Sequence, residues 1–166
     1  MLLIARGLPF RETFALRRPQ SWTAAAAIGA ATLTTAYAIS FTEVTFIPDL
    51  AREQSVPEFW DPTRLVPWLV NLLVIALFVP VFEEALCRGL GYALFAPFGP
   101  AVAVAVTAVA FTLAHGVLFD FPVILTTGLG LGCLRAVSGS LYPCLALHAV
   151  FNGFGLAAAA FFSGAT

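Results

Sequence analysis

From residue 65 to residue 166 the chain carries five charged side chains, Glu83, Glu84, Arg88, Asp120 and Arg135, set among long runs of Leu, Val, Ala and Phe. So few polar groups cannot cover a water-facing surface. The whole chain shows the same shortage: 60% of its 166 residues are hydrophobic and 10% are charged, against about 25% charged in a soluble domain. A soluble globular protein, a disordered chain and a nucleic-acid binder are excluded, and the length suits one domain. Backbone groups in lipid have no water to bond, so spanning segments must be helices. The expected fold is all-α, a polytopic integral membrane helix bundle of about five transmembrane helices.

The spans follow from the apolar runs. Residues 1–20 mix Arg6, Arg11, Arg17 and Arg18 with Leu, Ile and Phe and read as a basic segment on the membrane surface. Residues 22–41 form an uncharged run, long enough to cross a bilayer core of about 30 Å. Ala36-Tyr37-Ala38 resembles a signal cleavage site, but the run is long and four more spans follow it. Residues 42–64, with Glu43, Asp49, Glu53, Glu58 and Asp61, read as an acidic loop with a short helix. A second span lies within 65–96 and a turn at Pro97-Phe98-Gly99-Pro100 follows. The third span is 101–118, the fourth 122–137 and the fifth 141–162, with turns at 119–121 and 138–140. The chain thus divides into 1–64 (surface segment, first span and acidic loop) and a four-helix membrane core over 65–166.

Four arginines precede the first span, which places the N-terminus in the cytoplasm and the acidic loop outside. Arg88 and Arg135 then fall toward cytoplasmic ends, which supports that orientation. The chain has no Lys and is rich in Ala and Arg, as expected for a high-GC bacterial genome. The location expected is a bacterial cytoplasmic membrane. Cys87, Cys133 and Cys144 lie in apolar stretches without a CxxC pair, so no disulfide and no structural zinc are read.

Charged groups inside spans cost about 2.5–3.5 kcal/mol each on insertion scales, and a chain that keeps several uses them. They fall into three groups: Glu83-Glu84-Ala85-Leu86-Cys87-Arg88, Phe111 through His115, and His148 through Asn152. Glu84 and Arg88 are four apart in the favoured order for a helical pair. Glu83 points about 100° away and cannot share that partner equally. It is left in apolar surroundings, which suits a general base. His148 and Asn152 share a face. Counted at about 1.5 Å per residue from the cytoplasmic ends, Glu83 lies about 20 Å deep, His115 about 21 Å, His148 about 11 Å and Asn152 about 17 Å. Three helices therefore carry polar groups toward one level.

The pattern EExxxR, FxxxH and HxxxN, each on its own span, resembles the CPBP family of intramembrane proteases, which includes CAAX prenyl endopeptidases and bacteriocin-processing relatives. Gly139-Ser140-Leu141-Tyr142-Pro143 leading into His148 is similar to the family too. The resemblance covers about 65–156. It implies a glutamate-dependent endopeptidase. No cofactor is expected. Glu83 would activate water, His115 would assist, His148 and Asn152 would hold the oxyanion, and Glu84 with Arg88 would be the supporting ion pair. The implied partners are a membrane-embedded or membrane-associated protein or peptide substrate and the lipid bilayer.

Other readings stay open at this point. Cys87 lies one turn from Glu83 and could act as a nucleophile in a C-terminal sorting reaction, or simply pack as a small hydrophobe. Two His and a Glu could bind zinc, although no HExxH is present. A non-catalytic bacteriocin-immunity or scaffold relative would keep the fold alone. Asp120 and Arg135 read as interfacial residues. Gly128 and Gly132, at GxxxG spacing, read as helix-packing positions. Pro80 is expected to kink its helix and free a carbonyl.

Overall fold

The computed structural model describes residues 9–47, 63–116 and 120–162. Among the described residues six helices follow one another: α1 (Phe10–Thr13), α2 (Trp22–Phe46), α3 (Leu65–Phe98), α4 (Pro100–Ala114), α5 (Phe121–Ser138) and α6 (Tyr142–Phe162). No strand occurs among the described residues. The five long helices correspond to the five expected spans, so the chain is an all-helical membrane bundle. Most of the acidic loop (48–62), residues 1–8 of the basic segment, 117–118 at the end of the third expected span, 119 of the turn after it and 163–166 lie outside the described residues.

Local chemistry sets the helix limits. Ser21 caps α2 by accepting from the Ala24 N–H at 3.2 Å. Pro100 occupies the first turn of α4, where a missing N–H costs nothing. α5 stops at Gly139, which takes a left-handed φ of 65°. By length and composition α2, α3 and α5 can each cross a membrane. The helix α4 is shorter than the span expected over 101–118. It ends at Ala114, and Gly116 turns the chain with a φ of 66°.

The small residues of α5 make it the central helix. Gly128 and Gly132 lie against Ala108 and Val104 of α4, and a methyl group at 132 would sit 2.9 Å from Val104. Gly130, turned about 200° from Gly128, lies against Thr32 of α2, where a methyl group would collide. The glycine pattern thus lets two neighbours approach α5 from opposite sides.

The helix α3 is not uniform. It widens into π geometry at Val74–Phe78 and again at Ala85–Gly91. In the first wide turn the Val79 N–H reaches back five residues to Val74 O. The next residue, Pro80, has no N–H to give. Ile75 O is therefore left without a donor from its own helix, as expected of a carbonyl near Pro80. In the second wide turn the Tyr92 N–H bonds Cys87 O, again five back. Returning to α geometry skips one carbonyl, that of Arg88.

Residues 9–20 form a strap folded onto the corner between α5 and α6. The Leu141 N–H donates to Ala15 O at 3.1 Å and the Gln20 N–H to Ser138 O at 2.9 Å. Arg17 Nε donates to Gly139 O at 2.7 Å, and the Ser140 hydroxyl donates to Arg17 O. Ala15 is fully buried at a φ of 48°, a conformation strained for a non-glycine residue. Phe14 lies over Gly89 in the second wide turn, where a methyl group would come within 2.6 Å of the ring.

Candidate active site

Glu83 and Glu84 sit between the two wide turns of α3 and face different surroundings. Glu84 is fully buried, and its Oε1 accepts from Arg88 at 3.0 Å and from His148 Nδ1 at 2.9 Å. Arg88, also fully buried, donates a second bond to Gly128 O at 2.8 Å and stacks its guanidinium 4.5 Å from the centre of the Phe111 ring. Among the described residues no group meets Glu84 Oε2 or Arg88 Nε. The Glu83 side chain is 33% exposed. Its Oε2 stands 3.4 Å from His148 Nε2, within ion-pair reach.

His148 is thus clamped between two carboxylates. A carboxylate oxygen only accepts, so a neutral imidazole can serve one of them and an imidazolium both. The bond from Nδ1 to the Arg88-held Glu84 fixes the ring and aims Nε2 at Glu83. Phe111 packs edge-on against His148, with ring centres 5.6 Å apart, and sits 4.5 Å from the His115 ring. The Phe of the FxxxH pattern is the wedge that spaces the two imidazoles.

His115 is the residue after the end of α4 and is exposed. Its Nδ1–H donates to Phe111 O at 2.8 Å. A carbonyl cannot donate, so in the neutral ring this bond leaves Nε2 with the lone pair. Asn152, partly buried on α6, donates from Nδ2 to Ile75 O at 2.9 Å. It meets the carbonyl released beside Pro80, and one of its two amide hydrogens stays available. Cys87 is a half-buried free thiol in the second wide turn.

The structure therefore brings Glu83, Glu84, Arg88 and His148 into one connected cluster, with His115 behind Phe111 and Asn152 one turn along α6. The depth count left His148 about 9 Å short of Glu83, yet the two are in contact. That count took residue 141 at the membrane edge. Ser140 and Leu141 are instead buried, and residues of the strap bond them. The helix α6 consequently starts deeper than the end of α3.

Arg135 departs from its interfacial reading. It is 7% exposed, donates from Nε to Arg88 O at 3.0 Å and lies 4.7 Å over the Tyr92 ring. Its position near a span end suggested the interface. Only the skipped carbonyl, which no sequence spacing reveals, shows why it turns inward. Among the described residues no three His, Cys, Asp or Glu side chains are disposed to hold a metal ion.

A family model, type II CAAX prenyl endopeptidase Rce1-like, matches residues 65–154. The chain belongs to this family. No curated protein and no solved structure matches the chain. The Rce1-like region runs from the start of α3 into α6 and takes in every residue of the cluster, together with His115, Asn152 and Arg135. The strap and α2 precede it. Membership identifies a protease family, and the apolar helices make the chain an integral membrane protein of that family.

Proposed function

We propose that the chain is an intramembrane glutamic endopeptidase that hydrolyses a peptide bond of a membrane-associated protein or peptide. The observation that carries this reading is the division of labour between neighbouring glutamates. Glu84 is buried and bound through Oε1 to both Arg88 and His148, while Glu83 is partly open and faces His148 Nε2.

In this mechanism Glu83 takes a proton from a water molecule as the water oxygen attacks the scissile carbonyl carbon. The carbonyl oxygen becomes an oxyanion. His148 Nε2–H and the spare N–H of Asn152 donate to it, in a dry site where one such donor contributes about 2.7–4 kcal/mol. The C–N bond then breaks. The proton held by Glu83 passes to the leaving nitrogen, with His115 Nε2 assisting the transfer. Glu84 and Arg88 act by holding His148 still.

No resident metal enters this reading. The groups disposed around Glu83 are a second carboxylate, an arginine and an imidazole engaged on both sides, a set suited to proton transfer. The segment bearing the arginines, with Arg17 seated beside Gly139, is proposed to lie on the cytoplasmic side of a bacterial membrane.

The deciding experiment compares protein termini in membranes of a deletion strain complemented with the wild type or with Glu83→Gln. The endopeptidase reading expects a set of new termini that the variant fails to generate. Identical termini in both strains would refute it and favour a scaffold.

A further inference from the structure

Each wide turn of α3 releases one carbonyl, and each released carbonyl is met by a side chain from another helix. Asn152 meets Ile75 O, and Arg135 meets Arg88 O. The second case bears on the cluster directly, because Arg88 is the residue whose carbonyl is released and whose guanidinium grips Glu84. An unbroken line of contacts runs from Arg135 Nε to Arg88 O, from Arg88 to Glu84 Oε1, from Glu84 Oε1 to His148 Nδ1, and from His148 Nε2 to Glu83 Oε2.

The alternative to the wide turn is a regular α turn. Reverting to it would add about one residue's worth of rotation, about 100°, between the part bearing Glu84 and the part beginning at Tyr92. Two contacts oppose that change from the outside. The guanidinium of Arg135 satisfies the carbonyl that only the wide turn exposes, and it lies 4.7 Å over the ring of Tyr92, the residue that closes the turn. A buried carbonyl left without a donor costs about 1–3 kcal/mol, and regular geometry would leave the Arg135 donor unpaired instead.

We propose that Arg135 is a positioning residue of the site: by capping Arg88 O and stacking on Tyr92 it holds the second wide turn, and so fixes where Arg88 meets Glu84 and how Glu84 aims His148. Its effect on catalysis rests on the endopeptidase reading, whereas its effect on the His148 ring does not. Phe14 of the strap closes over Gly89 in the same turn.

The chain has two histidines, which makes the test clean. The full chain is labelled with 15N-histidine, placed in lipid nanodiscs and read by NMR, with His115→Ala assigning the two imidazoles. Arg135→Gln is expected to move the His148 nitrogens while those of His115 stay in place. Arg135→Lys, which keeps a charge and a donor, is expected to restore most of the wild-type His148 signal. Should Arg135→Gln fail to fold, Tyr92→Leu removes only the stacking face and gives a smaller shift of the same nitrogens. An unmoved His148 in every folded variant overturns the proposal, as does an equal displacement of both histidines. In the complemented strains, Glu83-dependent termini are expected to fall about tenfold or more with Arg135→Gln and to recover with Arg135→Lys. If no Glu83-dependent termini exist, the endopeptidase reading fails while the NMR result still decides the role of Arg135.

Discussion

The cluster has a closed half and an open half, and they are built by opposite rules. In the closed half, Glu84, Arg88 and the Nδ1 side of His148 are out of contact with solvent and hold one another through charge-assisted bonds. In the open half, Glu83 is one-third exposed and His115 stands at an exposed helix end. Buried charges are stable only when paired, and removing one partner is far more costly than never having the pair. The closed half therefore belongs to folding and aiming. The open half can change its proton content without undoing the fold, which is what a reacting group requires. His148 joins the two, with one nitrogen in each.

This contrast predicts that activity and stability separate by residue. The largest expected effect is on the open half: Glu83→Gln should abolish Glu83-dependent cleavage, yet shift unfolding in detergent by no more than about 0.5 kcal/mol. Terminal proteomics and a thermal melt on the same variant check this, and a large melting shift would merge the two halves into one. Arg88→Met should do the reverse, stranding Glu84 and destabilising the chain by about 3–5 kcal/mol, read as lost folded yield. Asn152→Ala leaves Ile75 O unpaired beside Pro80 and should cost about 1–3 kcal/mol, measured by thermal unfolding. Asn152→Asp should lose both tasks at once, because a carboxylate can donate to neither the carbonyl nor an oxyanion. The smallest effect is expected from Cys87→Ala: unchanged cleavage and a stability change of about 1 kcal/mol or less. Loss of cleavage in that variant would instead support a thiol nucleophile.

The helical bundle was legible because composition leaves a chain this apolar no alternative in lipid. The pairing of Glu84 with Arg88 was legible because four residues bring side chains together even in a widened turn. The packing role of Gly128 and Gly132 followed from their spacing. The link between His148 and Glu84 was not legible, since it spans 64 positions and depends on how deep α6 begins. That depth is set by a strap whose contacts to residues 138–141 leave no periodic trace. Pro80 announced a freed carbonyl, but Asn152 as its donor required the third dimension. Arg135 was misplaced because a charge near a span end ordinarily reaches for water. Here a skipped carbonyl and the Tyr92 ring together offer it a partner inside.

The wide turns of α3 also bear on how such a site can be moved to another protein. They divide the helix into three pieces with independent azimuths: an approach from Leu65, a short piece carrying the glutamates, and a tail that seats Tyr92 against α4. Copying Glu83, Glu84 and Arg88 onto a straight helix would reproduce the ion pair and misdirect everything after it. By the same logic, deleting one residue within 89–91 would let the turn close into regular α geometry with the flanking pieces near their present phase, and it would cost the site the skipped carbonyl that Arg135 caps.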